Sequence, residues 1–531
     1  MVRRMTREPR MRRVGNLEPV DVCLVLEGTY PYVAGGVSTW VHDLINAQSE
    51  LTFHIVSLLP GTEPPERRYE MPDNVRGLNH VFLQQLPPGA RWMIDLRKRL
   101  AGMEEALRAI QSEGDIFDLK RLMDELAKGE GRYGRRLLMN SRPAWEMLLR
   151  MYGKDMPEGS FLDYFWTWRS LLGGLFSVML SPMPQAKVFH TISTGYAGLF
   201  AARAKLETGR PVLLTEHGIY TNERRIEIAM ADWLYEGPSG SLGLDKPKRD
   251  LKDLWIDTFV AYSRCCYQAC DEIITLYTGN QDLQRRDGAD PGKLRIIPNG
   301  VDYERFSKIP REPHDRPTVA LIGRVVPIKD IKTFIRSVAV LKQEVPDVLA
   351  WMMGPTEEDE DYYRECVQMV EHLELQDNFE FTGRVKLDEW LGRVDVMVLT
   401  SISEAQPLVI LEGGAAGIPT VATDVGSCRD MLLGMPTEDP PLGRGGAITP
   451  LANPTETGRQ LAALLKDPET MARAREAIRE RVRLYYNKVE IDRIYRDLYE
   501  THMALPDRPE ADRLPAPAGG ESGGGSEMEA A

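Results

Sequence analysis

The chain has 531 residues, more than one folding unit at roughly 100–200 residues per domain, and its 43% hydrophobic and 27% charged content excludes wholesale disorder. A net charge of −13 argues against binding to polyphosphate backbones, so no nucleic-acid partner is expected. The cysteines (Cys23, Cys265, Cys266, Cys270, Cys366, Cys428) form no C-x-x-C pair, which points to buried thiols in a reducing, cytoplasmic compartment.

Residues 1–17 are rich in arginine with no uninterrupted apolar run behind them, and read as a basic, flexible N-terminus, not as a signal peptide. From 18 onward short apolar runs alternate with amphipathic stretches, the pattern of βαβ units and of a parallel sheet covered on both faces. Strands are expected at 21–26, 52–59, 187–192, 211–215, 272–276 and 294–297, within a Rossmann-like N-terminal domain over 18–306. Between about 92 and 181 the periodicity is helical throughout, which predicts an all-helical insertion. Its most apolar stretch, 161–184, is interrupted by Asp163 and Arg169, and the uncharged part, 171–180, is half of a membrane span; it reads as a buried helix.

The segment 307–317, rich in Pro, Arg and Asp, reads as an exposed linker. A second strand series at 318–322, 348–353, 379–381, 395–400 and 419–422 builds a second Rossmann-like domain over 318–485. Helical pattern continues to about 502, and 506–531 has little to bury and is expected to be disordered. The fold class is therefore α/β, with two doubly wound domains facing a cleft and the ligand site at the carboxyl ends of the strands.

Several strand ends carry candidate chemistry. The loop after the first strand contains Gly35 and Gly36 ahead of a helix expected near Ser38, either a place where backbone meets an anionic ligand or a tight turn needing positive φ. His217, in Thr215-Glu216-His217-Gly218, stands at a strand's carboxyl end, and Asn222, Glu223, Arg224 and Arg225 read as a solvated helix start. Gly323 ends the first strand of the second domain, and Arg324 and Lys329 flank a proline turn before a helix, where two cations suit a diphosphate. In 401–415, Glu404 and Glu412 bracket Pro407, Leu408 and Val409; Pro407 suits a first helical turn, and Glu412 in an apolar helix needs a partner. At about 12 Å of helical rise the two carboxylates are too far apart for a retaining glycosidase pair. Asp359-Glu360-Asp361 offers a D-x-D string, but its acidic surroundings before a helix suit the helix dipole instead. No zinc spacing is present.

Taken in order, the Gly35-Gly36 loop, Ile297-Pro298-Asn299-Gly300-Val301-Asp302, Gly323-Arg324 with Lys329, the EX7E spacing of Glu404 and Glu412, and 417–426 resemble the retaining glycosyltransferases of family 4, of GT-B fold. The stretches 27–42 and 215–225 look closer still to the PelF-type enzymes of Pel exopolysaccharide biosynthesis, and the resemblance covers about 20–503. It implies that Arg324 and Lys329 bind the donor diphosphate and that Glu412 holds the ribose hydroxyls. It further implies that Glu404 meets the transferred sugar, that His217 lies beside that sugar, and that Asn299, Gly323, Pro407, Leu408 and Val409 line the donor site. Gly35 and Gly36 would let the first domain close on the phosphates, and the last helix, 489–503, would return to it. Ala405-Gln406 and Ser427 depart from the commoner pattern and bear on the identity of the donor sugar.

The implied reaction is transfer of a hexosyl or N-acetylhexosaminyl unit from a UDP-sugar to a growing glycan with retention, without a metal or other cofactor. An inner-membrane polysaccharide synthase is a candidate partner, which would place the protein at the cytoplasmic face of the membrane. Two alternatives stand beside it: a UDP-sugar epimerase or phosphorylase on the same fold, and a non-catalytic nucleotide-sugar-binding subunit of such a synthase.

Overall fold

The computed structural model describes residues 19–229, 250–435, 438–506, 508–509 and 513–515. The basic segment 1–17 and most of 506–531 lie outside the described residues. The short apolar runs fold as strands because a doubly covered sheet buries both of their faces. The first sheet comprises β1 (Val20–Glu27), β2 (Phe53–Leu59), β3 (Val75–Phe82), β4 (Ala186–Thr191), β5 (Val212–Glu216), β6 (Glu272–Thr275) and β7 (Leu294–Ile296), in the order β3-β2-β1-β4-β5-β6-β7. The second comprises β8 (Thr318–Ile322), β9 (Leu349–Met353), β10 (Phe379–Gly383), β11 (Val396–Leu399), β12 (Thr420–Thr423) and β13 (Gly446–Thr449), in the order β10-β9-β8-β11-β12-β13. Pairing is parallel from β3 through β5 and across the whole second sheet. Both orders reverse beside the first strand of their series, the doubly wound topology.

Two strands were not expected from the sequence, β3 and β13. Most of β3 is only half-buried, so it carries no continuous apolar run, and β13, Gly-Ala-Ile-Thr, is too short and too small to announce itself. Both sit at sheet edges, where one-sided pairing relaxes the demand for apolar residues. The second sheet shows the period of two plainly: Val319, Leu321, Ala350, Met352, Val396 and Val398 enter one core and Ala320, Trp351, Met353, Met397 and Leu399 the other.

Contacts divide the chain into two units, the first containing residues 1–274, 283–295 and 498–531, the second 275–282 and 296–497. In the first, helices Leu96–Ile110, Ile116–Ala127, Arg135–Leu138, Arg142–Asp155 and Phe161–Leu180 join β3 to β4. Asp115, Ser141 and Ser160 cap three of them by accepting backbone N–H bonds. The apolar stretch of the last is buried from Leu171 to Met179, and among the described residues no helix is long and apolar enough to cross a membrane. All six cysteines are buried free thiols. Helix Lys488–Met503 changes unit within its own length, at Leu498.

Two segments are held more firmly than their composition suggests. The exposed linker at 307–317 is pinned to the second unit: Arg316 donates to the carbonyls of Asp347, Val348 and Asp377, and Arg311 and His314 both bind Asp395. The tail expected to be disordered from 506 has Arg508 paired with Asp271 at 2.8 Å and Arg513 donating to the carbonyls of Leu206 and Glu207. Guanidinium groups supply most of the anchorage in both, beside one partly buried apolar residue each, Ile309 and Leu514.

Candidate functional site

In the second unit the carboxyl ends of β8 and β11 bring the central candidates together. After β8, Gly323 and Arg324 lead into a short 3-10 turn, Pro327–Lys329, and Asp330 then caps helix Ile331–Glu344 by accepting the N–H of Thr333. The turn is tied to the loop after β11: Thr400 Oγ1 donates to the carbonyls of Lys329 and Asp330, and Ile402 N–H donates to Ile328 O. That lashing places Lys329 Nζ 2.5 Å from Glu404 Oε1, with both side chains largely buried. Gly323 lies against the same lysine, its Cβ position 3.6 Å from Lys329 Cε. Arg324 does not join them; it is half exposed and paired with Glu358 at 2.5 Å, so each of the two cations carries its own carboxylate.

Glu404 sits in a loop and the following helix is Leu408–Ala415, preceded by Pro407 in an extended conformation (ψ 107°). Pro407 therefore stands before the helix and not in its first turn. Gly426 fixes that loop from the other side: its φ is +52°, and a Cβ there would lie 2.3 Å from the carbonyl oxygens of both Glu404 and Ala405. Within the helix, Leu408 faces solvent, Val409 is half-buried against the core, and Glu412 is largely withdrawn from water. Among the described residues no ion pair supplies the partner that Glu412 needs in its apolar helix. Arg305, the cation acting on it, is committed to Asp388 at 2.7 Å, and burial holds the Glu412 carboxyl above its ordinary range, with Arg305 opposing and Asp388 reinforcing the shift. Asn299 N–H donates to Gln406 Oε1 at 2.7 Å, which joins the loop after β7 to this one. Asn299 Oδ1, Gln406 Nε2 and Ser427 Oγ are buried with no hydrogen-bond partner among the described residues.

In the first unit the helix after β1 is Gly36–Ala47, two residues earlier than expected. Gly35 is extended (φ 170°), and neither Gly35 nor Gly36 has any atom within 4 Å of a Cβ position. Backbone conformation and local packing thus leave both positions open to a larger residue, and a tight turn does not explain them. His217, just past β5, packs under the edge of Trp40, with ring centroids 4.6 Å apart at 74°. Three neighbours were not singled out in the sequence. His190 at the end of β4 bonds Tyr499 OH through Nδ1 (2.7 Å) and Thr215 Oγ1 through Nε2 (2.9 Å), and burial, helped by His217, pushes its pKa down to about 3. Glu216 is fully buried and accepts from Gln284 Nε2, Tyr267 OH and Tyr220 N–H, yet burial still raises its pKa to about 7. Glu27 accepts Ala197 N–H and Tyr220 OH and is likewise raised by burial. Their common signal is a polar residue at the carboxyl end of an apolar strand. Of the expected solvated helix start, Arg224 instead lies over the Tyr220 ring, 4.9 Å from its centroid.

The D-x-D string is consumed locally, Asp359 capping helix Glu360–His372 and Asp361 pairing with Arg364. Among the described residues no three His, Cys, Asp or Glu side chains gather to hold a metal.

Residues 20–292, just over half the chain, match the family described as "Domain of unknown function (DUF3492)", and residues 302–481 match "Glycosyl transferases group 1". The D-inositol 3-phosphate glycosyltransferase of Kineococcus radiotolerans is 30% identical over 226 residues, 38% of this chain and 49% of the relative. A second, from Catenulispora acidiphila, is 29% identical over 207 residues, 36% and 47% of the two chains. The chain thus spans about half the length of the curated relatives it matches. Sucrose-phosphate synthase from Thermosynechococcus elongatus aligns over 91% of this chain and 99% of that one, with a TM-score of 0.54 at 17% identity. Anabaena Alr3699/HepE in complex with UDP aligns over 90% and 99%, with a TM-score of 0.54 at 13% identity. At these identities the likeness shows the fold, the GT-B arrangement of two Rossmann-like α/β domains expected from the sequence. The chain belongs to the DUF3492 family and carries a glycosyl transferases group 1 domain as its second unit.

Proposed function

We propose that the protein is a retaining glycosyltransferase that moves a hexosyl or N-acetylhexosaminyl unit from a UDP-sugar to a growing glycan, in exopolysaccharide synthesis of the Pel type. The observation that carries this reading is the Lys329–Glu404 pair held at the sheet's carboxyl edge by the Thr400 and Ile402 bonds. Breaking the sugar–phosphate bond leaves negative charge on the departing diphosphate, and a preorganised ammonium placed there in advance stabilises that charge as it develops. Lys329 supplies it, with Arg324 as the second cation. Glu404, released from the lysine when the diphosphate arrives, accepts from hydroxyls of the transferred sugar. Glu412, withdrawn from water and without an ion pair among the described residues, suits the two hydroxyl donors of a ribose. The open Gly35-Gly36 helix start suits close approach of an anionic ligand, and His217, packed beside Trp40, is the residue the resemblance sets next to the transferred sugar.

These cations meet the leaving-group charge directly, so the reading requires no metal, and chelation with EDTA is expected to leave transfer unchanged. The Pel assignment and the membrane-synthase partner rest on the resemblance of 27–42 and 215–225. The complexes of HepE with UDP and with UDP and glucose support a UDP-sugar donor by analogy. The test is calorimetric titration of the full chain with UDP, GDP, UDP-glucose, UDP-N-acetylglucosamine and UDP-N-acetylgalactosamine, with the product anomer read by proton NMR. UDP-selective binding and an axial product linkage from an axial donor are expected. Inversion sinks the mechanism, turnover of the donor without an acceptor favours the epimerase reading, and absence of nucleotide binding overturns the donor site itself.

A further inference from the structure

The second unit has another concave site, at the opposite edge of its sheet from Glu404. Helix Pro468–Tyr485 carries Arg475 and Arg479 four residues apart and so on one face. They look onto the segment just before β12, where Arg479 Nη2 donates to Ala416 O at 3.1 Å and lies against Gly417, 2.7 Å from its Cβ position. The pinned linker adds Arg311. These three arginines, with Gly417, Glu476 and Glu480, line a cavity of about 330 Å³, within the range of small-molecule sites. Asp395 precedes β11 and Glu404 follows it, and the strand between spans about 13 Å, so the cavity and the donor edge lie at opposite ends of one strand.

The three arginines meet Glu476 and Glu480 in the lining and Asp395 beside it, and what is in excess there is hydrogen-bond donors. Asp395, the carboxylate bound to two of these arginines, already accepts from Arg311 (2.6 Å), Arg475 (3.1 Å), His314 (2.7 Å) and Thr318 N–H (3.1 Å), and has no capacity left. Glu480 is taken by Arg483 at 2.5 Å. Arg475 Nε is buried with no acceptor among the described residues, and burial together with repulsion from Arg311 and Arg479 lowers the Arg475 pKa. Converging guanidinium forks with spare donors fit the oxygens of a tetrahedral oxyanion, which takes paired N–H bonds and relieves their mutual repulsion.

We propose that this cavity binds a phosphoryl group, either inorganic phosphate or the phosphate of a small phosphorylated sugar, at a site separate from the donor edge. Occupancy there bridges the linker, helix Pro468–Tyr485 and the turn before β12, and stiffens the second unit.

The test is calorimetry on the full chain at constant ionic strength with two probes, inorganic phosphate and glucose 6-phosphate, in wild type, Lys329→Ala, Arg479→Ala and Glu476→Gln. Saturable binding that survives Lys329→Ala and weakens about tenfold in Arg479→Ala is expected. Glu476→Gln removes a lining carboxylate and is expected to tighten binding about threefold, a gain that misfolding does not imitate. If Arg479→Ala fails to fold, the Glu476→Gln comparison decides, and unchanged affinity there overturns the proposal. Binding lost in Lys329→Ala but kept in Arg479→Ala assigns the phosphate to the donor edge and overturns it, as does no binding by either probe. Tenfold tighter binding of glucose 6-phosphate identifies a sugar phosphate as the ligand, and equal affinities identify free phosphate. Because the readout needs no donor or transfer, its failure leaves the glycosyltransferase reading untouched, and the reverse also holds.

Discussion

The carboxyl edges of the two sheets are built on the same topology and differ in their electrostatics. The second carries two ion pairs, Lys329 with Glu404 and Arg324 with Glu358, beside one carboxyl, Glu412, that burial lifts. At the first, burial strips charge away. His190 titrates at about 3 and is neutral at physiological pH, Glu216 is raised to about 7, and Glu27 is raised as well. Helix N-termini follow the strands in both units, so the backbone contribution is alike. The side chains differ: loops tied by hydrogen bonds near the surface keep ionic groups partly hydrated, while the deep strand ends of the first unit are desolvated. One edge presents ion pairs, the other neutral hydrogen bonding and aromatic contact.

The sharpest way to break this contrast is to remove charge from the second edge. Glu404→Ala is expected to lower transfer about 10²–10³-fold, and Lys329→Ala to weaken UDP binding about tenfold or more, both with the thermal midpoint within a few degrees of wild type. Kinetics, calorimetry and a melting scan read all three. If His217→Asn, at the neutral edge, costs as much as Glu404→Ala, the division of labour between the edges is wrong.

The first edge makes a prediction about pH. Glu216 has a folded pKa of about 7 against an ordinary value of 4.5. Its contribution to stability is therefore present below about 4.5 and is lost as the pH rises towards 7, a change on the order of 3 kcal/mol. Urea unfolding at pH 5 and pH 8 should show that fall, and Glu216→Gln should flatten it; an identical slope in the variant would acquit Glu216.

Smaller effects refine the second edge. Gly426→Ala forces a side chain into a left-handed position against two carbonyl oxygens and is expected to cost about 1–3 kcal/mol, seen as a lowered denaturation midpoint together with reduced transfer through the displaced Glu404. Glu412→Gln should move stability and binding in opposite directions. Relief of the desolvated carboxylate raises the melting temperature slightly, while UDP affinity falls about tenfold; a variant that loses both would mean that Glu412 is structural.

Much of this was legible in the chain because doubly covered parallel strands must be apolar on both faces, so β1, β8 and β11 stand out in any reading. The edge strands β3 and β13 lacked that requirement and were missed. Lys329 and Glu404 were both legible as candidates, since each ends a strand-to-helix connection. Their 2.5 Å pairing was not, because it depends on the Thr400 and Ile402 bonds joining loops about seventy residues apart in sequence. Likewise Arg324 is marked by its motif, yet its partner Glu358 lies in a different loop.

Alternating apolar runs and glycines at strand ends, by themselves, determined the α/β class and the doubly wound character of both sheets, and with the E-x7-E spacing they marked the candidate residues, because strand burial and loop chemistry are local demands written into local sequence. The tertiary structure alone decided which charges are paired, which carboxyls burial lifts, how an arginine-rich linker closes over Asp395, and that no ion pair reaches Glu412 among the described residues. Desolvation and Coulomb interaction depend on distance through space, and a single sequence does not record which distant residues come within a few ångströms of one another.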